Sequence, residues 1–297
     1  MKTSVIVVTF NRRKDCEEAL KSLINQVLLP DEIIVIDNGS TTPYKLKSEA
    51  LEDKVNIIII HLKKSIELGA ARSIGVLLSS GDIVAFLDDD AIAAPRWLKS
   101  FKEAIEKGCD IATGPCKPLY LAKPPSWWDE KLHGDFVGVG NYYHVSSGDP
   151  LRYVKGGNMA VRRRVFDEIG LFKPYLGRVR GKLLSGEESD FVVRAMRKRF
   201  SVCYVPGAVM YHKVYPYRLG FWYMMKRSWN GGVSRRKLAF EGTIRPGPVL
   251  RSLYYMVDIL FRVFKACKNM IVGDVGRSIC EIGLIFNRLG FLIGNPL

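Results

Sequence analysis

The chain has 297 residues, 47% of them hydrophobic and 25% charged, which suffices for a large core in one domain or in two that share a cleft and excludes a disordered chain. Its formal charge of +15 favours an anionic partner without choosing among nucleic acid, nucleotide and acidic lipid. The six cysteines, Cys16, Cys109, Cys116, Cys203, Cys267 and Cys280, are scattered and form no C-x-x-C pair, which argues against a zinc knuckle or a disulfide framework and for reduced thiols in a cytosolic compartment.

The apolar run at 5–8 follows the first residues directly; it is too short for the core of a signal peptide, lacks a cleavage site and reads as a strand. From residue 3 to about 115, short β-branched runs alternate with helical patterns, the signature of an α/β fold with a mostly parallel sheet flanked by helices. Strands are expected at 4–9, 33–36, 55–60, 83–87 and 111–113, helices at 14–27, 44–51, 68–79 and 95–107. Pro95 suits a first helical turn, and Gly81 and Gly108 suit helix ends. Ligands of such sheets gather at the carboxyl ends of the strands. Three polar clusters follow strands there: Thr9-Phe10-Asn11-Arg12, Asp37-Asn38-Gly39-Ser40 and Asp88-Asp89-Asp90.

The chain therefore divides into a nucleotide-binding half at 1–115, a Gly-, Pro- and aromatic-rich substrate-side region at 116–215, which the resemblance given below makes the acceptor side, and a basic tail at 216–297. From Lys213 onward there are 14 Lys and Arg against 4 Asp and Glu, an excess of ten positive charges. The tail has apolar stretches at 249–272 and 279–293. In the first, Arg251, Asp258, Arg262, Lys265 and Asn269 recur at helical spacing opposite Leu, Tyr, Ile, Phe and Val, which describes a basic amphipathic helix rather than a membrane span.

Three successive carboxylates repel one another unless a cation or a helix terminus offsets them. In an extended segment Asp88 and Asp90 point the same way and can hold a hard divalent ion and, through it, a diphosphate; an acidic helix cap is the plainer explanation. Asp37 can accept from a nucleobase or a ribose hydroxyl, or simply close a turn with Asn38-Gly39. Arg72, on the helix before the acidic strand, can neutralise phosphate oxygens. Glu187, Glu188 and Asp190 open a helix whose dipole they suit, yet three carboxylates in four residues exceed what capping requires, and one of them can act as a general base. His212 is a metal ligand or an ordinary histidine. Trp127 and Trp128 can stack on a sugar face or fill a core.

In this order the pieces resemble the inverting nucleotide-sugar glycosyltransferases of family 2, which have the GT-A fold. The resemblance covers about residues 3 to 235 and rests on Val7-Val8-Thr9-Phe10-Asn11-Arg12, Ile36-Asp37-Asn38-Gly39-Ser40, Gly69-Ala70-Ala71-Arg72, Phe86-Leu87-Asp88-Asp89-Asp90, Gly156-Gly157-Asn158-Met159-Ala160 and Gly186-Glu187-Glu188-Ser189-Asp190. It implies that Thr9, Asn11, Arg12 and Asp37 lie along the nucleotide and Arg72 near the diphosphate. Asp88 and Asp90, with Asp89 between them, match the DxD motif that meets the nucleotide sugar and its Mg2+ or Mn2+, and His212 falls where a histidine completes the metal site. It places Gly157 and Asn158 beside the donor sugar and makes Glu188 the base, with Asp190 in reserve and Glu187 adjoining.

Glu67 and Ser73 stand where the family commonly has Asn, and the Q-x-x-R-W signature of processive synthases is missing, so a single addition is expected. The resemblance further implies a glycan or lipid-linked acceptor, an enzyme peripherally attached to the inner face of the cell membrane through its tail, and no nucleic acid partner. A sugar-1-phosphate nucleotidylyltransferase would need a Gly-rich loop after the first strand, where this chain has Phe10-Asn11-Arg12-Arg13. A non-catalytic basic protein binding membrane or nucleic acid leaves the acidic strand end unexplained.

Overall fold

The computed structural model describes residues 1–45, 54–178, 183–244 and 247–294. Its strands are β1 (Thr3–Thr9), β2 (Glu32–Asp37), β3 (Asn56–His61), β4 (Ile83–Asp88), β5 (Ala91–Ala93), β6 (Ile111–Thr113), β7 (Cys116–Tyr120), β8 (Asn158–Arg162), β9 (Val202–Tyr204) and β10 (Met210–Val214). Its helices are α1 (Arg13–Ile24), α2 (Leu68–Leu78), α3 (Trp97–Glu106), α4 (Glu130–Val137), α5 (Pro150–Tyr153), α6 (Arg163–Ile169), α7 (Glu187–Arg197), α8 (Phe221–Phe240), α9 (Pro248–Ile271) and α10 (Val275–Ile293). The helix expected at 44–51 falls mostly on 46–53, outside the described residues. The chain forms two compact units, the first from Met1–Pro118, Asn141–Arg180 and Glu187–Lys213, the second from Leu119–Gly140, Gly181–Gly186 and Val214–Leu297. The middle section, 116–215, is thus shared between the two.

In the first unit seven strands run in the order β3-β2-β1-β4-β8-β6-β9. β1, β2 and β4 are apolar runs because helices cover both faces of a parallel sheet; Val5, Val7, Ile33, Val35, Val84 and Ala85 are fully buried. Parallel pairing sets Thr9 opposite Asp37, Asp37 opposite His61 and Val8 opposite Asp88, so the polar strand ends form one row. β8 inserts antiparallel between β4 and β6, with Asn158 opposite Leu87. The preceding residue, Gly157, accepts from the Asp88 N–H at 3.2 Å. β10 pairs antiparallel with β5 and sets His212 opposite Ala91, directly after the acidic run. Under the sheet, Phe86, Phe166, Phe172 and Phe191 pack into one core.

One expectation needs correction. Cys109 and Cys203, 94 residues apart, form a disulfide. Parallel pairing of β6 with β9 puts Cys203 opposite Ala112 and brings the two sulfurs together, a juxtaposition that sequence spacing cannot reveal. Cys16, Cys116, Cys267 and Cys280 form no disulfide among the described residues.

The second unit is helical. α10 packs along both α8 and α9, and Trp127, Trp128, Phe136, Met225 and Ile279 share a core. The tail stretches expected at 249–272 and 279–293 are α9 and α10. α8 is an addition, and its pattern hides it: Gly231 and Gly232 interrupt it, and both lower helix propensity. Gly232 is needed for packing, because a Cβ there would collide with the Asn287 carbonyl on α10.

Candidate active site

At the row of strand ends, the three aspartates are held differently. Asp89 points inward. It is 6% exposed and accepts from Thr9 Oγ1 at 2.9 Å and from Arg12 Nη1 at 3.0 Å. Burial pushes its carboxyl up to about 6 against the pull of Arg12. Asp90 receives the same Arg12 Nη1 at 2.9 Å on Oδ2, while its Oδ1 lies 3.3 Å from His212 Nε2. Asp88 ends β4 and accepts from Arg72 Nη2 at 3.1 Å. One donor atom each from Asp88, Asp90 and His212 lies within 4.8 Å of the others. Two carboxylate oxygens and an imidazole nitrogen at that spacing suit a hard to borderline divalent ion such as Mg2+ or Mn2+, so the donor set fits the expected metal. Asp89, turned away, is a support for Thr9 and Arg12.

Arg72 connects this cluster to α7. Its Nη1 donates to Glu187 Oε1 at 2.8 Å, and both side chains are about 5% exposed or less. Burial, reinforced by the neighbouring Glu188 and opposed by Arg72, pushes the Glu187 carboxyl up to about 7. Half-buried Glu188 has an oxygen, Oε2, without a hydrogen-bond partner among the described residues. Asp190 is engaged otherwise: Lys173 Nζ reaches it at 2.9 Å and Arg194 Nε at 2.8 Å. The Gly156-Gly157 turn passes between these groups. A Cβ at Gly156 would lie 2.5 Å from Arg72 Nη1 and 3.2 Å from Glu188 Cβ, and one at Gly157 would fall on the Asp88 carboxylate. Only glycine permits that approach.

Asn158 is fully buried and spends its side chain internally, accepting from Trp97 Nε1 at 2.6 Å and donating to the Pro115 and Ala208 carbonyls. It anchors β8 behind Gly157. Beside the Asp88, Asp90 and His212 donor set, Thr9, Asn11, Arg12, Arg13, Ser40, Thr41 and Tyr44 line a cavity of about 260 Å³. Asn11, at φ +55°, clasps its rim: its Oδ1 accepts from the N–H and the hydroxyl of Thr41, both at 2.9 Å. Asp37 lies behind the lining and holds two of its residues, accepting from Ser40 N at 3.2 Å and Tyr44 N at 2.7 Å, and pairs with His61 Nδ1 at 2.8 Å. Although burial raises its carboxyl, these bonds bring it below the ordinary range.

Thr9, Asn11, Arg12, Asp37, Arg72, Asp88, Asp89, Asp90, Gly157, Glu187, Glu188 and His212 thus gather in the first unit. Trp127 and Trp128 belong to the second, where Trp128 Nε1 donates to Tyr120 Oη at 2.9 Å and both rings pack against His133. His61 and Lys173 were missed. His61 has a signal, being the residue after the third expected strand; Lys173 has none, since its partner is 17 positions away.

The family model for glycosyl transferase family 2 matches residues 4–170. Glucosyl-dolichyl phosphate glucuronosyltransferase of Haloferax volcanii is 26% identical over 241 residues, 80% of this chain and 77% of that protein. The uncharacterized glycosyltransferase YwdF of Bacillus subtilis is 35% identical over 178 residues, 58% of this chain and 62% of that one. In fold, the chain resembles S. aureus TarS (TM-score 0.54, 16% identity, 95% of this chain and 55% of that one). It also resembles the 1–349 portion of TarS in complex with UDP (0.53, 17%, 98% and 89%). GalNAc-T7 with UDP, GalNAc and Mn2+ matches at 0.53, with 17% identity, over 72% of this chain and 44% of that one. The sheet order, the acidic end of β4 and the family model agree, and the fold is of the GT-A type: this chain is a glycosyltransferase and belongs to glycosyl transferase family 2.

Proposed function

We propose that this enzyme is a metal-dependent, inverting, single-addition glycosyltransferase that moves a sugar from a nucleoside diphosphate to a hydroxyl of a glycan or lipid-linked acceptor. One observation carries the reading: the Asp88, Asp90 and His212 donor atoms converge within 4.8 Å, and Arg72 links Asp88 to the helix turn that bears Glu188. The cavity rimmed by Asn11 and Thr41, with Asp37 holding Ser40 and Tyr44 behind it, takes the nucleoside; UDP in the TarS complex and UDP with Mn2+ in GalNAc-T7 support a uridine nucleotide and a metal. Mg2+ or Mn2+ at Asp88, Asp90 and His212 would offset charge developing on the leaving diphosphate.

Glu188 accepts the proton of the acceptor hydroxyl. The freed oxygen attacks the anomeric carbon opposite the diphosphate, the bond to the phosphate oxygen breaks with its electron pair on that oxygen, and configuration inverts. Asp190, held by Lys173 and Arg194, positions α7. Trp127 and Trp128 line a cleft of about 720 Å³ with Lys131, Asp274 and Arg277 and can stack on an acceptor sugar. The enzyme works peripherally at the inner face of the membrane, a reading supported by the dolichyl phosphate in the relative's name and by the exposed apolar side of α9.

Calorimetric titration with UDP and Mn2+ and an assay of sugar transfer test this. Asp90→Asn is expected to abolish metal-dependent UDP binding. Glu188→Gln keeps that binding and lowers kcat by about 10²–10⁴-fold; normal turnover in this variant would remove Glu188 from its role.

A further inference from the structure

Helix α9 presents its apolar side to solvent and its polar side to the protein. Inward, Arg262 pairs with Asp258 and with Glu281 at 2.7 Å each, Arg288 pairs with Asp258 at 2.9 Å, and the Arg288 guanidinium lies 4.4 Å over the Tyr255 ring. Outward, Leu253, Val257, Leu260, Phe261, Phe264 and Ile271 are 56–85% exposed. At 100° per residue, exposed apolar positions run from Met270 through Leu260 to Tyr254 over an arc of about 200°. Lys268 lies within this arc and Lys265 at its edge; no acidic residue does.

An apolar strip this long on a water-soluble surface marks an interaction site. The width of the arc decides what covers it. A protein neighbour packed on a helix covers a stripe on the order of 100°, half of what is exposed here, whereas a fluid hydrocarbon layer closes around a cylinder that sinks to its axis. Among the described residues no helix is long and apolar enough to cross a membrane, so the helix lies along the surface, about 36 Å at 1.5 Å per residue. Lys265 and Lys268 can lay their stems on the apolar face while their ammonium groups reach the headgroups.

We propose that α9 seats the second unit on a lipid bilayer by immersing this arc, and that apolar transfer supplies the affinity rather than the ten excess positive charges. Part of that charge is turned onto the unit itself rather than toward solvent. Arg262 and Arg288 hold carboxylates, Arg251 donates to Tyr255 Oη, Arg227 to the Leu183 carbonyl and Arg236 to those of Leu292 and Gly294. The proposal rests on the membrane-surface part of the reading above and adds the face and the force.

Flotation of the full chain with phosphatidylcholine vesicles, and with vesicles that also contain phosphatidylglycerol, at low and high salt, tests it. Both compositions are expected to float the protein, with salt changing the bound fraction less than about twofold. Leu260→Gln with Phe264→Gln lowers partitioning at least about 20-fold; Lys265→Gln with Lys268→Gln lowers it less than about threefold. Circular dichroism and Mn2+-dependent UDP binding, measured on each variant, report folding and the sugar-transfer reading independently, so a failure there is distinct from a failure to float. Flotation confined to anionic vesicles and lost in salt overturns the proposal, as does failure to float, whether the chain sediments as a monomer or as a dimer that the Leu260 and Phe264 substitutions dissociate.

Discussion

At Glu187, burial and the charge of Glu188 act in one direction and Arg72 in the other, and the first two win: the carboxyl titrates near 7 instead of 4.5. Between those two values the folded chain holds a proton that the unfolded chain has lost, so stability falls as pH rises through this window and levels off above it. Asp89, pushed up to about 6, contributes the same sign and most of it below that value, so Glu187 is the larger contributor between pH 6 and 7. Glu187→Gln keeps an acceptor for Arg72 and removes the titration. Thermal unfolding of the metal-free protein at pH 6.0 and 7.0 is expected to show a loss on the order of 1 kcal/mol in the parent and almost none in the variant. An unchanged slope would place the titrating proton elsewhere. The acidic pair Asp88 and Asp90 was legible as carboxylates after an apolar run, and the candidate base as one of three carboxylates opening a helix. Their supporting partners were not, because Arg72–Glu187 and Arg12–Asp89 span 115 and 77 positions and leave no local pattern.

Among the elements, buried parallel strands betray themselves as unbroken β-branched runs, and the five expected strands all form. β8 was hidden. It is five residues long and antiparallel, and its place between β4 and β6 depends on partners more than 40 positions away. The same holds for β5 with β10 and for the pairing that joins Cys109 to Cys203. In the second unit, close approach is the packing rule: a Cβ at Gly232 would strike the Asn287 carbonyl, and one at Gly290 would strike the Trp229 carbonyl. Gly232→Val is therefore expected to force α8 and α10 apart at a cost of about 1–3 kcal/mol, even though valine lacks glycine's backbone freedom in the unfolded chain. A lowered midpoint in denaturant with UDP binding retained would check this; an unchanged midpoint would show that the helices are free to separate.

For the whole molecule, composition suggested that the tail's charge was addressed to a ligand. Several of those cations instead face carbonyls and carboxylates of their own unit, and most of what faces water on α9 is hydrocarbon. Removing residues 247–297 would strip α10 from α8 and uncover Met225 and Val233, which are 1% and 3% exposed. Such a truncation is expected to lose cooperative unfolding of the second unit rather than simply become soluble, as calorimetry of the shortened chain would reveal. Point substitutions on the exposed arc are accordingly the sharper probe of attachment.

Arg12 has a consequence for the metal-dependent reading proposed above. A single guanidinium nitrogen touches both Asp89 and Asp90, and Arg72 touches Asp88, so the acidic run carries its own counter-ions in covalent reserve. Chelation should then empty the enzyme without unravelling it, and adding Mn2+ back should restore full turnover. On the metal-dependent reading proposed above, activity is expected to fall and recover with ion availability while the folded pool is preserved.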